Sequence, residues 1–376
     1  MSFLFYDIIL FVAFCTLAVV FLRRNKKNVK REGIIYLYKS GFGIKLMDSI
    51  VKHARKFLNF ISVYVVIIGF IGMAAMIFLL IASAYKMATI PIAIKTPPVV
   101  PLLPWIPFPG LPTLYFTYWI IAIFLLAVVH EGCHGIFSRL NDIKIKSTGF
   151  GFLGPLPLAF VEPDEKQMAK KGFKAQLSIL AAGPVSNFAL AALVFLLITA
   201  VINPVYSKVE NSSILVVQVN ESGPAYASGI REGDVIKIEN ASTLKEYSEI
   251  YSSIKPNQTI TIEKNGEKIS LITVVNPLNE SLGSVGIAVT PKLSGISRIA
   301  PYIPSTLIFW IFMTNLFVGL FNLLPLPIVD GGRMAYIASL YFTKSDKRAK
   351  KIAKRAYTFS LSLFVLLFVI WILRIL

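Results

Sequence analysis

Two histidines and a glutamate occur near the end of an apolar run, in the sequence IAIFLLAVVHEGCHGIFSRL at residues 121–140. His130 and His134 are four residues apart, so on a helix their imidazoles project from one face and can bind one zinc ion. Glu131 is rotated away from that face, where its carboxylate can act as the general base of a zinc hydrolase. Ionisable groups inside a membrane normally mark a working site; the alternative is that these side chains only pair with one another within a helix bundle.

A catalytic zinc takes three protein ligands and keeps an open position, so a third ligand must come from elsewhere. Asp330, in FNLLPLPIVDGGRM, is the candidate, because Asp and Glu are almost absent from the apolar runs and Asp7 belongs to the outer end of its run. Pro325 and Pro327 should end a helix just before Asp330. The alternative role for Asp330 is that of a helix N-cap at the membrane surface.

The composition is that of an integral membrane protein. The chain has 376 residues, of which 55% are hydrophobic and 15% are charged. Six apolar runs are long enough to span roughly 30 Å of hydrocarbon. They lie near residues 3–22, 58–85, 113–137, 175–202, 303–325 and 356–375. We interpret the first as a retained anchor, because it lacks the basic start and small-residue cleavage site of a signal peptide.

The net charge of +18 is distributed unevenly. Basic residues cluster after the first run and before the second, fourth and sixth, whereas 86–112 and 203–302 are sparse or balanced in charge. This pattern places the basic segments in the cytoplasm and the N-terminus outside. We therefore attribute the charge to topology and lipid headgroups, and we expect no nucleic-acid partner.

Depth along the third run can be calculated from the helical rise of about 1.5 Å per residue: His130 lies roughly 24 Å from Leu114 and about 13 Å from Arg139, the first cytoplasmic charge. The predicted zinc site is therefore inside the bilayer, in its cytoplasmic third. Asp330 approaches from the same side, just before a basic segment.

Several segments have a recognisable character. Residues 43–58 place apolar and basic residues at helical spacing and should lie along the inner membrane surface. Residues 147–165 predict an irregular or β-hairpin segment that dips into the membrane and lines a site.

The segment 203–302 is β-rich and soluble in character, with a hairpin predicted at Asn265-Gly266. The Asn-x-Ser/Thr sequons at Asn211, Asn220, Asn240, Asn257 and Asn279 all fall in this segment, which agrees with an outer location but leaves glycosylation open.

Taken together, HEGCH, AAGPVSNFALA, FNLLPLPIVDGG and the PDZ-like pattern GPAYASGIREGDVIKI resemble the site-2 protease family of intramembrane zinc metalloproteases. The resemblance covers about residues 113–340. It implies a three-helix catalytic core with one zinc per chain held by His130, His134 and Asp330, and with Glu131 as general base. It also implies that residues 147–165 form a re-entrant hairpin able to hold substrate as an added strand.

Further residues match family motifs. Gly183, Pro184 and Asn187 match G-P-x-x-N, where the glycine can serve either substrate or helix packing. The substrate-binding residues that the resemblance implies are Asn187, Asn322, Pro325 and Pro327. Gly132 and Cys133 depart from the pattern, since the family often has a larger residue followed by glycine. Two spans precede the core and one follows it, which puts any transfer of gating details in doubt.

We thus predict a polytopic α-helical membrane protein with about six transmembrane helices, a re-entrant β-hairpin and one extracytoplasmic PDZ-like α+β domain. The expected divisions are an accessory region at 1–112, the first half of the core at 113–202, the PDZ-like domain at 203–302, the third core helix at 303–340, and a basic loop with a final helix at 341–376.

The resemblance implies that membrane-tethered proteins are cut within or beside a transmembrane segment, often after another protease has removed an outer domain. The PDZ-like domain would act as a size filter or as a recognition module. One alternative is a membrane zinc endopeptidase whose site opens to the cytosol, but no membrane-level glutamate is evident as its third ligand. Another is a non-enzymatic metal-binding or transport protein, for which the spans lack a polar path.

Overall fold

The computed structural model describes residues 3–26, 28–89, 101–106, 111–202, 213–239, 241, 244–276, 279–291 and 302–375. These residues form two compact units. The first is built from described residues within 1–107, 113–194 and 309–376, and the second from those within 108–112 and 195–308. Most of the proline-rich connection before residue 113 lies outside the described residues.

Helices make up most of the first unit. Across both units, the described α-helices in chain order are α1 (Phe3–Arg24), α2 (Ile44–Thr89), α3 (Phe116–Leu140), α4 (Glu165–Ala169), α5 (Phe173–Leu197), α6 (Pro224–Ala227), α7 (Leu244–Ser253), α8 (Tyr302–Asn322), α9 (Asp330–Thr343) and α10 (Asp346–Ile375). Helices α6 and α7 belong to the second unit, and a π-helical turn at Ile198–Ile202 follows α5. Within the described chain, α1, α2, α3, α5 and α10 are long and apolar enough to cross a membrane. The run expected near 303–325 corresponds to α8, whose apolar part at Thr306–Asn322 is shorter than the five spans, so the number of six spans stays a prediction.

Two predicted segments have a different structure. The surface helix expected at 43–58 is continuous with the following span, because no proline or glycine interrupts the 46-residue α2 before Gly69. At about 69 Å, α2 is more than twice as long as the hydrocarbon is thick. The structure also differs from the basic loop predicted from residue 341. Helix α9 runs to Thr343, and the basic residues form the first turns of α10.

A four-stranded antiparallel sheet lies beside the helices. Its strands are β1 (Val29–Glu32), β2 (Ile35–Ser40), β3 (Ile145–Leu153) and β4 (Leu156–Pro163), in that order across the sheet. The hairpin predicted near 147–165 is confirmed as β3 and β4. The β1–β2 hairpin was not predicted. This hairpin is joined to β3 by the pairing of β2 with β3, in which Tyr38 lies opposite Phe150. Both rings also pack against Phe21 of α1.

The second unit has a sheet and core of its own. Its strands are β5 (Ser213–Val219), β6 (Val235–Ile238), β7 (Thr259–Lys264), β8 (Glu267–Ile272), β9 (Val274–Asn276), β10 (Asn279–Ser284) and β11 (Ile287–Pro291). Five of them form an antiparallel sheet in the order β11-β5-β6-β7-β8, with Ile236 and Ile262 fully buried. The predicted Asn265-Gly266 hairpin is confirmed, with φ angles of 54° and 87°. The PDZ-like identity of this unit stays a prediction.

One interaction ties α1 to the start of α3. The buried Asp7 carboxylate accepts hydrogen bonds from the backbone N–H groups of Phe116 and Thr117 at 2.7 and 2.8 Å. It also accepts from the Thr117 hydroxyl and the Trp105 indole. A carboxylate at a helix N-terminus satisfies unpaired N–H groups and interacts favourably with the helix dipole. Asp7 therefore caps α3 from a different helix.

Replacing Asp7 with Asn should destabilise the first unit by about 1–3 kcal/mol, because the charge is lost and an amide N–H group then faces hydrogen-bond donors. Thermal unfolding of the detergent-solubilised protein would measure the change. Tyr6→Phe is the control, since Tyr6 on the same helix is 58% exposed. An Asp7→Asn protein as stable as this control would contradict the capping role.

Candidate metal centre

Three side chains from two distant parts of the chain converge in the first unit. His130 and His134 lie on α3, and their Nε2 atoms are 3.2 Å apart. Asp330 is the first residue of α9, and its Oδ2 atom lies 3.3 Å from each of these nitrogens. The N-cap position of α9 is Val329, which makes no side-chain cap. The Asp330 carboxylate thus faces the histidines.

The chain around Asp330 is folded back tightly. After α8 ends at Asn322, the proline-containing segment passes beneath the first turn of α9. A Cβ atom on Gly331 would lie 2.1 Å from the Leu323 carbonyl oxygen, and one on Gly332 would lie 1.9 Å from that of Leu326. Only glycine fits at these two positions, so the D-G-G sequence is a steric requirement of the turn that presents Asp330.

Each imidazole is held by a second contact. His134 Nδ1 lies 2.7 Å from the Ile179 carbonyl oxygen, so Nδ1 must carry the proton and Nε2 keeps its lone pair. His130 Nδ1 lies 3.0 Å from the side-chain nitrogen of the fully buried Asn187. The Asn187 Oδ1 atom has no hydrogen-bond partner among the described residues. A half-turn of this amide lets Oδ1 accept from Nδ1–H, which leaves His130 Nε2 available as well.

The three atoms fit a tetrahedral zinc site. Zinc is bonded to imidazole nitrogen and carboxylate oxygen at about 2.0–2.1 Å. In a tetrahedral site, these bond lengths place neighbouring ligand atoms about 3.3 Å apart. The observed separations are 3.2 and 3.3 Å. Among the His, Cys, Asp and Glu side chains of the described residues, these three form the group whose ligand atoms lie close enough together to hold a metal ion. The predicted convergence of the three side chains is confirmed.

Gly183 of α5 is packed directly against the two imidazoles. A Cβ atom there would lie 2.4 Å from His134 Nε2 and 2.7 Å from His130 Nε2. Of the two roles left open for Gly183, the structure supports packing, with the ligands themselves as the packing partners.

The ligands open onto a cleft of about 590 Å³ that Glu131 also lines. Its lining also includes six charged residues: Glu32, Lys39, Lys146, Glu162, Glu165 and Arg333. Lys39 contacts Glu162 at 2.9 Å, and the Ser147 hydroxyl together with Lys39 lowers the pKa of the Glu162 carboxyl. Such a lining can hold water beside the metal ligands.

The predicted substrate-binding residues do not share one environment. Asn322 and Pro327 line the cleft, whereas Pro325 is not among its lining residues. Asn187 is buried and contacts His130. Substrate contact stays a prediction for all four residues.

Two contacts of the site involve backbone groups that sequence reasoning missed. These are the Ile179 carbonyl on His134 and the Val161 N–H on Glu131. Any residue type offers such groups, so the sequence contains no signal for them.

Comparison with known proteins places this site in a family context. Residues 118–368 match the model of Peptidase family M50. Over 336 residues the chain is 29% identical to the "Uncharacterized protein MJ0971" of Methanocaldococcus jannaschii, covering 86% of this chain and 83% of that protein.

Two further relatives are zinc metalloproteases by name. The "Zinc metalloprotease RasP" of Geobacillus kaustophilus is 26% identical, over 62% of this chain and 66% of that protein. The protein of the same name from Shouchella clausii is 24% identical, over 47% of this chain and 54% of that protein. The chain thus spans between about half and two thirds of these RasP proteins. With two thirds of its residues matched by the family model, the chain belongs to Peptidase family M50, the site-2 protease family.

Proposed function

We propose that this protein is an intramembrane zinc endopeptidase that hydrolyses peptide bonds within or beside the transmembrane segments of membrane-tethered proteins. The observation that carries the proposal is the 3.2–3.3 Å triangle of His130, His134 and Asp330 at a cleft that also holds Glu131. Zinc held by these three residues would act as a Lewis acid: it would polarise the peptide carbonyl and lower the pKa of a water molecule, so that a base can deprotonate this water for attack.

The side chains of the protein perform the remaining steps. The Glu131 carboxylate accepts a proton from the attacking water and donates it to the amine as the C–N bond breaks. Ile179 and Asn187 keep both imidazoles oriented with Nε2 toward Asp330. Holding the reacting groups in place in this way lowers the entropic cost of the reaction.

Membrane depth supports hydrolysis within the bilayer. His130 lies about 21 Å along α3 from its first residue and about 13 Å before Arg139. The lining of the cleft includes Lys39, Lys146 and Arg333, which belong to segments that the positive-inside pattern assigns to the cytoplasm. We therefore propose a multi-pass cell-membrane protein with its N-terminus and second unit outside, and with water entering the site from the cytoplasm.

A transmembrane helix hides its peptide bonds in its own hydrogen bonds, so a substrate must unwind locally before hydrolysis. The β4 strand and Asn322 at the cleft can hold an unwound segment in extended form. The proposed partners are transmembrane proteins already shortened by another protease, together with the surrounding lipid.

The second unit is proposed to act as a PDZ-like domain on the outer face, either as a size filter or as a recognition module. Deleting residues 205–295 separates the two roles. A filter predicts that substrates with intact outer domains become cleavable, whereas a recognition module predicts loss of activity toward shortened substrates.

Replacing Glu131 with Gln should reduce cleavage of a single-pass substrate in liposomes by at least about 100-fold, because the amide cannot accept the proton. Zinc content should not change, since Glu131 is not a ligand. Glu165→Gln is the matched control, because Glu165 also lines the cleft but is paired with Arg333 at 2.7 Å. Undiminished turnover by the Glu131 variant would rule out this mechanism.

Replacing Gly183 with Ala should lower zinc affinity at least about tenfold, because the new methyl group displaces the two imidazoles. Chelator competition on the purified protein measures the affinity without any activity assay. Gly132→Ala is the control, since a Cβ atom there meets nothing within 4 Å. Equal zinc affinities for the two variants would show that the packing of Gly183 does not shape the site.

A further inference from the structure

The last helix, α10, has a basic end and an apolar end. Residues 356–373 contain no charged side chain and extend about 27 Å, close to the thickness of the hydrocarbon. The residues before them, 347–355, include six basic side chains, at Lys347, Arg348, Lys350, Lys351, Lys354 and Arg355. The boundary between the charged and the membrane-spanning part of α10 therefore lies close to Ala356.

One face of α10 packs on the rest of the first unit. Ala349, Ala353 and Ser360 on this face are almost completely buried. On the same face, the Tyr357 hydroxyl donates a hydrogen bond of 2.9 Å to the carbonyl oxygen of Gly332, in the first turn of α9. The inward face of α10 thus reaches the glycine turn of the metal centre.

A groove of about 580 Å³ lies on the outward face of α10 and is lined by Lys351, Lys354, Arg355, Thr358 and Phe359. These five residues are exposed and are spaced i, i+3, i+4, i+7 and i+8, so they form one stripe along the helix. With 3.6 residues per turn, the centre of the stripe is almost directly opposite Ala353. The groove therefore faces away from the protein.

The three cations of the groove form no ion pair with any described residue. The acidic residue at this end of the helix, Asp346, is bound to Lys350 at 2.8 Å and to the Tyr336 hydroxyl. The groove is consequently a positive patch without compensating charge, which is complementary to an anion.

The groove spans the level at which a phospholipid changes from headgroup to acyl chain. Along the helix axis, Arg355 and Lys351 lie about 2 and 8 Å outside the uncharged segment. The headgroup layer adds about 5–8 Å on each side of the hydrocarbon, so the cations lie at its level. Phe359 lies inside the uncharged segment, and 47% of its surface is exposed to contact with an acyl chain.

We propose that this groove binds one anionic phospholipid, with its phosphate at Lys351, Lys354 and Arg355 and an acyl chain along Phe359. A basic segment is attracted to an anionic membrane surface through its total charge, whereas this groove selects a lipid by headgroup and chain together. The lipid holds α10 at a fixed depth, on the face opposite the hydrogen bond to Gly332. Hydrolysis has no part in this inference, which therefore stands or falls independently of the proposed peptidase function.

Native mass spectrometry of the full-length protein in detergent measures the binding of added phospholipid. One molecule of phosphatidylglycerol per chain should bind at least about tenfold more tightly than phosphatidylcholine with the same acyl chains, because choline balances the phosphate charge. The triple variant Lys351→Gln, Lys354→Gln, Arg355→Gln should reduce this preference to less than about twofold.

A second triple variant removes the same charge from another basic segment. Lys166→Gln, Lys170→Gln, Lys174→Gln replaces three exposed cations and should keep the preference within about twofold of the wild type. Equal losses in both triple variants would show that net charge alone attracts the lipid. That result, or an undiminished preference in the groove variant, would overturn the inference.

The variant Phe359→Ala distinguishes a lipid from a soluble anion, because it changes no charge. It should weaken phosphatidylglycerol binding at least about threefold, and excess glycerol 3-phosphate, which has the headgroup without acyl chains, should not displace the lipid. Phe78→Ala is the control, since Phe78 is 68% exposed on α2. Displacement by glycerol 3-phosphate, or equal binding by the two phenylalanine variants, would identify an anion site without lipid specificity and would also overturn the inference.

Discussion

The Nε2 atoms of His130 and His134 and a carboxylate oxygen of Asp330 lie within 3.3 Å of one another, inside a largely apolar unit. Groups of this kind are costly to bury unless charges and hydrogen bonds compensate for lost water. The compensation here comes from the contacts with Ile179 and Asn187. Much of the first unit can be understood as the means of keeping these atoms together.

Steric fit contributes as much as polar contact. Gly183, Gly331 and Gly332 stand where any side chain would collide with a ligand or with backbone carbonyl oxygens. Gly69 and Gly72 likewise bring α2 against α5 and the segment before Asp330, because their Cβ atoms would lie 2.9 Å from Ala181 and 2.5 Å from Leu323. The close packing of these helices therefore holds the two halves of the site at a fixed distance.

Helix α3 is restrained at both of its functional levels. At its start, Asp7 accepts hydrogen bonds from the first N–H groups. Near the ligands, β4 packs on Gly135 and bonds to Glu131. The sheet itself is held through the packing of Phe21 on Tyr38 and Phe150. Helix α1 thus supports the site at two points, although it contributes no ligand.

The sequence by itself indicated where the chemistry of this protein is located. The spacing of His130 and His134, the scarcity of acidic residues in the apolar runs and the prolines before Asp330 were enough to predict that these three side chains belong to one metal-binding site. The β3–β4 hairpin was also predictable, because its glycines, prolines and alternating apolar residues act locally.

Only the tertiary structure decided how these residues are held. The β1–β2 hairpin, the continuity of α2, the cap from Asp7 and the contacts of Ile179 and Val161 were not foreseen. The contact of Asn187 with His130 was not foreseen either. These features depend on backbone groups and on residues far apart in the chain, and their partners are set by three-dimensional packing rather than by local residue pattern.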